Sequence, residues 1–256
     1  MDKLNISVTR TIDSGVRPIE LKCTPIYDCL FSNVAGLRSR ALVNSVDYGT
    51  LDPGDYMPAL EDDRESASSF TARNLRVVLG ALPALQSQAR GISLFLLSCP
   101  VSLVRRGTLA AEVTRLLRAA DPKCAEAVCL SFAPELLRLP LKDLQSALLH
   151  IRSLGCKVVV EGFGRADFPM SVLPLAAPDL LLLDERDRKG DFPAGMAAYV
   201  QFAGALGIQT LAVGVPAETV LRGLNDAQCA YYTPAPGLRT EGRSLYMEKE
   251  LTDLLS

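Results

Sequence analysis

Three acidic side chains that could ligate a metal ion stand at the ends of two apolar runs in this 256-residue sequence. Glu161 follows one run, and Asp184 and Glu185 follow another. A hard divalent cation needs several oxygen ligands that converge on one point. Glu161 with Asp184 could therefore hold one weakly bound ion at best, and we predict no metal and no other cofactor.

Arg38 and Arg40 are the basic residues that could act beside these carboxylates. A guanidinium group binds phosphate or carboxylate through two parallel hydrogen bonds. The pair predicts either an anion site or two solvated arginines at a rim, and the sequence leaves both open. The segment 161–165 (Glu-Gly-Phe-Gly-Arg) lacks the spacing of a phosphate-binding loop, so we interpret it as a turn that ends a strand.

Histidine and cysteine usage excludes several other kinds of site. The only histidine, His150, lies in the helical-looking stretch 141–154, so zinc sites built on several histidines are excluded and a serine–histidine–aspartate site is disfavoured. The seven cysteines are odd in number, scattered, and without a C-x-x-C pair. This pattern is not typical of a disulfide framework, and we expect free, buried thiols.

Short apolar runs that alternate with amphipathic segments would position these residues. We predict eight strands and six helices. The strands are 19–26, 37–43, 91–97, 127–132, 157–160, 180–183, 209–213 and 229–232, and the helices are 68–85, 109–119, 141–154, 194–206, 216–224 and 245–255. Continuous apolar runs are typical of strands that helices cover on both faces.

Eight such units in about 250 residues indicate an α/β fold, a modified (β/α)8 TIM-type barrel. The ten residues between the first two strands leave no room for a crossover helix, which predicts one antiparallel strand near the N-terminus. An open doubly wound sheet is the alternative. We divide the chain into an N-terminal arm, residues 1–16, and a barrel domain, residues 17–256.

Composition limits which cellular compartment and which classes of partner can be expected for the protein. The formal net charge of −2 argues against a broad surface for a nucleic acid polymer. No apolar run is long enough to span a membrane, and the first residues do not resemble a secretory signal peptide. We therefore expect a cytoplasmic protein without membrane or nucleic acid polymer as partner.

Six segments resemble, in the correct order, motifs of the EAL-domain family, the barrel phosphodiesterases that linearise cyclic di-GMP. The family patterns are Q-P-I-x-D, G-x-(I/V)-x-P-x-x-F-I-P, L-G-x-x-(I/L)-A-(I/L)-D-D-F-G, D-x-(I/L)-K-I-D, A-E-G-V-E and Q-G-Y-x-x-x-x-P. The matching segments here are 24–28, 49–58, 154–164, 179–184, 205–216 and 230–236. Nearly the whole chain, from about Ile19 to Leu255, is covered.

The resemblance also shows which chemical groups this chain lacks. It places Arg38 at the signature glutamate, Leu96 at a metal-binding asparagine, Ser131 at a metal-binding glutamate, Glu161 and Gly162 at the paired aspartates, Leu182 at the catalytic lysine, and Val213 at the glutamate near the attacking water. Two metal ions and a deprotonated water make phosphodiester hydrolysis feasible at neutral pH. The resemblance therefore implies a degenerate phosphodiesterase fold that is not an enzyme.

Two non-catalytic roles, and residual hydrolysis as a third possibility, stay open at this point. The first is a bacterial signalling or protein-interaction module with an unknown protein partner. The second is a non-hydrolysing receptor for cyclic di-GMP or another nucleotide. A vestigial ligand pocket would consist of Arg38, Arg40, Glu161 and Asp184.

The resemblance also suggests a homodimer. In the family, the loop after the D-D-F-G strand commonly forms a dimer contact, and here that loop contains Phe168 and Met170. Large apolar residues in an exposed loop favour interface cores, so we predict a contact through these two side chains. The alternative is that both fold back onto the barrel.

Overall fold

The computed structural model describes residues 19–31, 33–88, 91–184, 192–240 and 243–255. The predicted N-terminal arm, residues 1–16, lies outside the described residues. Within them, no helix is both long and apolar enough to cross a membrane.

Eight strands form a closed barrel, as predicted. The strands of the structure are β1 (Ile19–Asp28), β2 (Val34–Ser45), β3 (Gly49–Leu51), β4 (Leu94–Cys99), β5 (Val128–Phe132), β6 (Lys157–Val160), β7 (Leu180–Asp184), β8 (Gln209–Val215), β9 (Tyr231–Pro234), β10 (Arg239–Thr240), β11 (Arg243–Ser244) and β12 (Lys249–Glu250). Around the barrel the order is β1, β2, β4, β5, β6, β7, β8 and β9, and β9 closes on β1. β3 extends the sheet beside β2, and β12 pairs with β1.

The antiparallel strand is β1, and the prediction is confirmed. β1 runs antiparallel to both of its barrel neighbours, β2 and β9, whereas the other neighbouring pairs in the barrel are parallel. Only residues 29–33 join β1 to β2. So short a link cannot cross over the barrel, and the chain must reverse direction.

Helices cover the outer face of the barrel. They are α1 (Pro53–Asp62), α2 (Arg64–Gln88), α3 (Ala111–Ala119), α4 (Pro122–Ala127), α5 (Leu141–Ser153), α6 (Leu173–Ala176), α7 (Phe192–Ala205) and α8 (Glu218–Asp226), with 3-10 segments at Val101–Gly107, Pro134–Arg138, Met170–Val172 and Leu251–Leu254. In α5, Leu144, Ala147, Leu148 and Ile151 are buried, which is one helical face. Gly155 follows with a φ of +84°, the left-handed conformation that ends helices.

Alternate residues of the strands divide the core in two. The larger part lies between the strands and the helices. A smaller apolar cluster, which we call the interior cluster, fills the barrel itself and consists of Ile26, Leu94, Leu96, Cys129, Val159, Leu180, Leu182, Leu211 and Val213. The barrel is therefore a packed core up to its mouth, the end where the parallel strands finish.

One predicted element, the helix at residues 245–255, is wrong, and the last barrel strand differs from its predicted bounds. Residues 245–255 do not form a helix, because Lys249 and Glu250 pair with β1 as strand β12 and only a short 3-10 turn follows. The last barrel strand begins at Tyr231 rather than Cys229, because the Cys229 N–H closes the end of α8 by donating to the Leu224 carbonyl (2.9 Å).

Candidate functional site

The strand ends converge on a cavity of about 800 Å³ at the barrel mouth. The predicted residues Arg38, Arg40 and Glu161 all line it. Asp184 reaches the same level, because its backbone pairs with Val213, but its side chain lies outside the described part of the structure. The structure thus brings together three of the four residues predicted for the pocket.

Arg38 enters the cavity from β2. Its position pairs in register with Leu96 of β4, and Leu96 belongs to the interior cluster, so Arg38 also faces inward. The side chain is half-buried. Its guanidinium makes no hydrogen bond and no ion pair with any residue that the structure describes. Arg38 is therefore a cation in the cavity that has no ion-pair partner among the described residues.

Arg40, in contrast, forms ion pairs with two carboxylates. Its Nη1 atom lies 2.8 Å from Oδ1 of Asp52, and its Nη2 atom lies 3.2 Å from Oε1 of Glu248. Asp52 precedes α1, and Glu248 comes from the last described segment of the chain. The two carboxylates neutralise the guanidinium, so Arg40 joins distant segments at the rim rather than offering a free positive charge.

Glu161 is held by two serines from neighbouring strands. Ser98 of β4 and Ser131 of β5 are paired in register, and their hydroxyls donate to the same Glu161 oxygen, Oε1, at 3.1 and 2.8 Å. The Glu161 N–H itself donates to the Phe132 carbonyl at 2.9 Å. The carboxylate is thus oriented by neutral donors, and no cation of the described residues pairs with it.

Apolar side chains form the floor beneath these groups. Leu96, Leu182 and Val213 belong to the interior cluster and are at most 5% exposed. None of them has a ligand atom for a metal or a proton to transfer. The described residues contain no group of three or more His, Cys, Asp or Glu side chains that could hold a metal ion.

A second carboxylate, Glu61 of α1, is used structurally at the wall of the cavity. It accepts the N–H groups of Val101 and Ser102 at 2.6 and 2.9 Å, where the 3-10 segment after β4 begins. These N–H groups have no acceptor within their own segment, and the negative charge satisfies both. The described lining then holds two arginines against four carboxylates (Asp52, Glu61, Glu161 and Glu248), a net negative charge.

Burial raises the pKa of two groups that also line the cavity. The pKa of the Cys99 thiol lies well above its ordinary value because the side chain is buried, and the negative charge of Glu161 raises it further. Burial likewise raises the pKa of the Tyr56 hydroxyl, which donates to the Ala41 carbonyl at 2.9 Å. Both groups stay neutral at physiological pH, so neither is an activated nucleophile or base.

The turn after β6 confirms the role predicted for its glycines. Gly162 has a φ of +69°, a conformation that side chains rarely adopt. A Cβ atom at Gly162 would approach Cδ of Arg165 to 2.8 Å. The position that the family fills with a second aspartate is thus shaped here for a residue without a side chain.

Phe168 and Met170, the predicted dimer contact, differ from expectation in their exposure. Phe168 is 5% exposed and packs edge-on against Phe163, with ring centroids 5.3 Å apart. Met170 is half-buried and packs against the main core. The expectation that Phe168 is exposed is therefore wrong, because the loop folds back onto the barrel. The homodimer itself stays a prediction.

Several residues of the site were not predicted from the sequence. Ser98 could have been found, because it lies two residues after Leu96 on one strand and must face the same way. Asp52, Glu61 and Glu248 come from segments far apart in the chain, and no local pattern marks them as partners of the site.

Comparisons with known proteins agree with this architecture. The EAL domain model matches residues 15–233. An EAL domain protein from Listeria monocytogenes EGD-e is 17% identical, with a TM-score of 0.69 over 91% of this chain and 92% of that chain. The PaMucR phosphodiesterase in complex with c-di-GMP is 14% identical, with a TM-score of 0.75 over 91% of this chain and 95% of that one.

The FimX EAL domain of Xanthomonas citri, also in complex with c-di-GMP, is 16% identical, with a TM-score of 0.67 over 91% of this chain and 90% of that chain. No curated protein matches the sequence. At these identities the solved structures establish the fold of the chain.

Proposed function

Because this chain belongs to the EAL domain family, we propose that it is a catalytically inactive member that acts as a signalling module through protein interaction. One observation carries the proposal: apolar Leu96, Leu182 and Val213 occupy the floor of the mouth, where phosphodiester hydrolysis would need metal ligands and a proton-transferring group. These side chains can neither ligate a cation nor activate water.

The side chains at the family's metal-ligand positions support the same proposal, because they do not suit two divalent cations. The signature position holds the positive charge of Arg38, which repels a metal ion. Ser131 uses its hydroxyl to donate to Glu161, and a hydroxyl is a weak ligand beside a carboxylate. Of the described residues at these positions, Glu161 alone supplies a carboxylate. The residues present do not fit a two-metal centre, and we derive no step through one.

Hydrolysis of cyclic di-GMP tests the inactivity directly. The protein is incubated with the dinucleotide and Mg²⁺ or Mn²⁺, the products are separated by chromatography, and an active EAL phosphodiesterase serves as positive control. We expect no linear product above background. Linear product that forms with the wild type and disappears in a Glu161→Ala variant would overturn the proposal, because it would show a working site at this mouth.

A second candidate, a non-hydrolysing receptor for cyclic di-GMP or another nucleotide, is favoured by one feature. The guanidinium of Arg38 has no described partner and lines a cavity of about 800 Å³, which is large enough for a nucleotide-sized ligand. The net negative lining and the apolar floor oppose a ligand that carries two phosphate charges. We therefore rank the receptor below the interaction module.

Calorimetric titration with cyclic di-GMP, with and without magnesium, separates the two candidates. We expect no saturable binding in the micromolar range. Saturable binding that an Arg38→Gln variant abolishes would reverse the order. The matched control is Arg40→Gln, since Arg40 is held by Asp52 and Glu248 and should contribute little to such a ligand.

A further inference from the structure

Positive charge is concentrated in one stretch of this acidic protein. Residues 64–118 contain eight arginines, no lysine and only two acidic residues, Glu65 and Glu112, a net charge of +6. The whole chain has 27 basic and 29 acidic residues, so the other 201 residues hold 19 basic and 27 acidic ones, a net charge of −8. Positive charge is thus concentrated in this stretch, and negative charge in the rest of the sequence.

Helices α2 and α3 of this stretch lie on the outside of the barrel, whereas β4 between them is a barrel strand that reaches the mouth. Arg76 of α2 forms an ion pair with Glu112 of α3. The Leu109 N–H, just before α3, donates to Nδ1 of His150 on α5 at 3.4 Å. Helix α3 therefore packs beside α2, and the start of α3 lies next to α5.

A shallow groove of about 540 Å³ runs between α3 and α5. It is lined by Leu109, Ala111, Thr114, Arg115, Arg118, Ala119 and His150. Arg115 and Arg118 are exposed, and neither forms an ion pair with a residue that the structure describes. We call these two arginines, His150 and the groove between them the basic groove.

Two further donors belong to the basic groove. Since Nδ1 of His150 accepts a hydrogen bond, the neutral ring carries its proton on Nε2, which is left as a donor. The Thr114 hydroxyl is buried and finds no hydrogen-bond partner among the described residues. A bound carboxylate would accept from such groups, and the two guanidinium groups would hold it bidentately.

We propose that the basic groove binds an acidic segment of a partner protein. The inference rests on the proposed interaction role and adds to it the face and the chemistry of the partner. A groove between two helices, with the small apolar residues Ala111 and Ala119 in its walls, fits a short peptide segment that carries carboxylates beside apolar side chains. A long polyanion or an anionic membrane would also meet surface outside the groove, and the rest of the chain carries a net charge of −8, which opposes its binding.

Fluorescence anisotropy with the full chain tests the proposal. The probe is a fluorescein-labelled peptide of Asp, Glu and Leu, about 12 residues long, and its Asn/Gln counterpart is the neutral control. We expect the acidic peptide alone to bind, with an affinity that falls as NaCl rises from about 50 to 200 mM. The Arg115→Gln, Arg118→Gln double variant should weaken binding at least about tenfold.

A charge-matched double variant, Arg138→Gln with Arg165→Gln, keeps the result specific. Both arginines are exposed but pair with Asp167 outside the basic groove, so binding should change less than about twofold. Equal weakening in the two double variants would overturn the proposal, because it would indicate attraction by net charge alone.

Three other outcomes would also refute the acidic partner: absence of peptide binding, tighter binding of single-stranded DNA of equal charge, and tighter binding of phosphatidylserine vesicles. None of them bears on hydrolysis. Conversely, cyclic di-GMP turnover would refute the proposed function and leave peptide binding intact. The two failures are therefore distinguishable.

Discussion

Replacing Leu96 by asparagine, the residue type that the family resemblance places there, tests whether the floor of the mouth has become part of the core. Leu96 is 2% exposed within the interior cluster. The loss of its apolar burial costs about 2–3 kcal/mol. A buried amide without partners costs about 1–3 kcal/mol more. We expect the free energy of unfolding to fall by about 3–6 kcal/mol, a large part of the ~5–15 kcal/mol typical of a folded domain.

Urea unfolding followed by far-ultraviolet circular dichroism measures this loss, since the chain contains no tryptophan to serve as a fluorescent probe. Leu96→Met keeps the site apolar and should cost less than about 1.5 kcal/mol. Leu149→Asn, at a position that is 67% exposed, should cost less than about 0.5 kcal/mol. A loss below about 1.5 kcal/mol for Leu96→Asn would refute the reasoning, because it would mean that the amide finds water or protein partners at the mouth.

Three more perturbations have defined outcomes. Glu61→Ala removes the acceptor of two N–H groups and should lower the free energy of unfolding in urea by about 1–2 kcal/mol. The control is Glu65→Ala, at an exposed neighbouring position, which should lower it by less than about 0.5 kcal/mol. Equal losses in the two variants would contradict the capping role of Glu61. Phe168→Ala should destabilise the monomer by about 3–5 kcal/mol, and a variant as stable as the wild type would show that the side chain is not packed on the barrel. Cys129 is buried, and burial raises the pKa of its thiol to about 12, so raising the pH from about 7 to 9 should not start rapid labelling of Cys129 by a thiol reagent. Labelling of Cys129 in native protein as fast as in urea-unfolded protein would refute this.

The parts of the fold that the sequence predicts well are those fixed by local patterns. Residues 157–160 form β6 with the predicted bounds, because a β-branched run between two turns has few alternatives. Helix α1 was not predicted, although Asp52 before Pro53 and an acidic residue three positions after Asp52 signal its start, and Oδ2 of Asp55 indeed accepts the Asp52 N–H at 3.0 Å. The helical spacing at residues 245–255 misleads, because pairing with β1 is a long-range demand that no local pattern reveals.

In the candidate site, too, local sequence patterns predict some features and not others. The parity of residues along a strand is enough to place Arg38 and Glu161 inside the mouth, because alternate residues face the same side. The sequence does not reveal that Arg40 has ion-pair partners whereas Arg38 has none among the described residues. The partners of Arg40, Asp52 and Glu248, are brought to it only by the folded chain. Charge type can be read from sequence, whereas charge pairing needs the tertiary structure.

The closure of the barrel on its first strand has a consequence for how the protein folds. Tyr27 of β1 is paired with Tyr232 of β9, 205 residues further along the chain, and their rings are stacked with centroids 5.4 Å apart. The other barrel strands pair with neighbours much closer in sequence, so their contacts can form while the chain is still being synthesised. The pairing of β1 with β9 cannot form until both strands are present, and the entropy of closing so long a loop slows that step. Until β1 and β9 pair, each presents an unpaired strand edge, and the nascent barrel can pair with another chain at these edges.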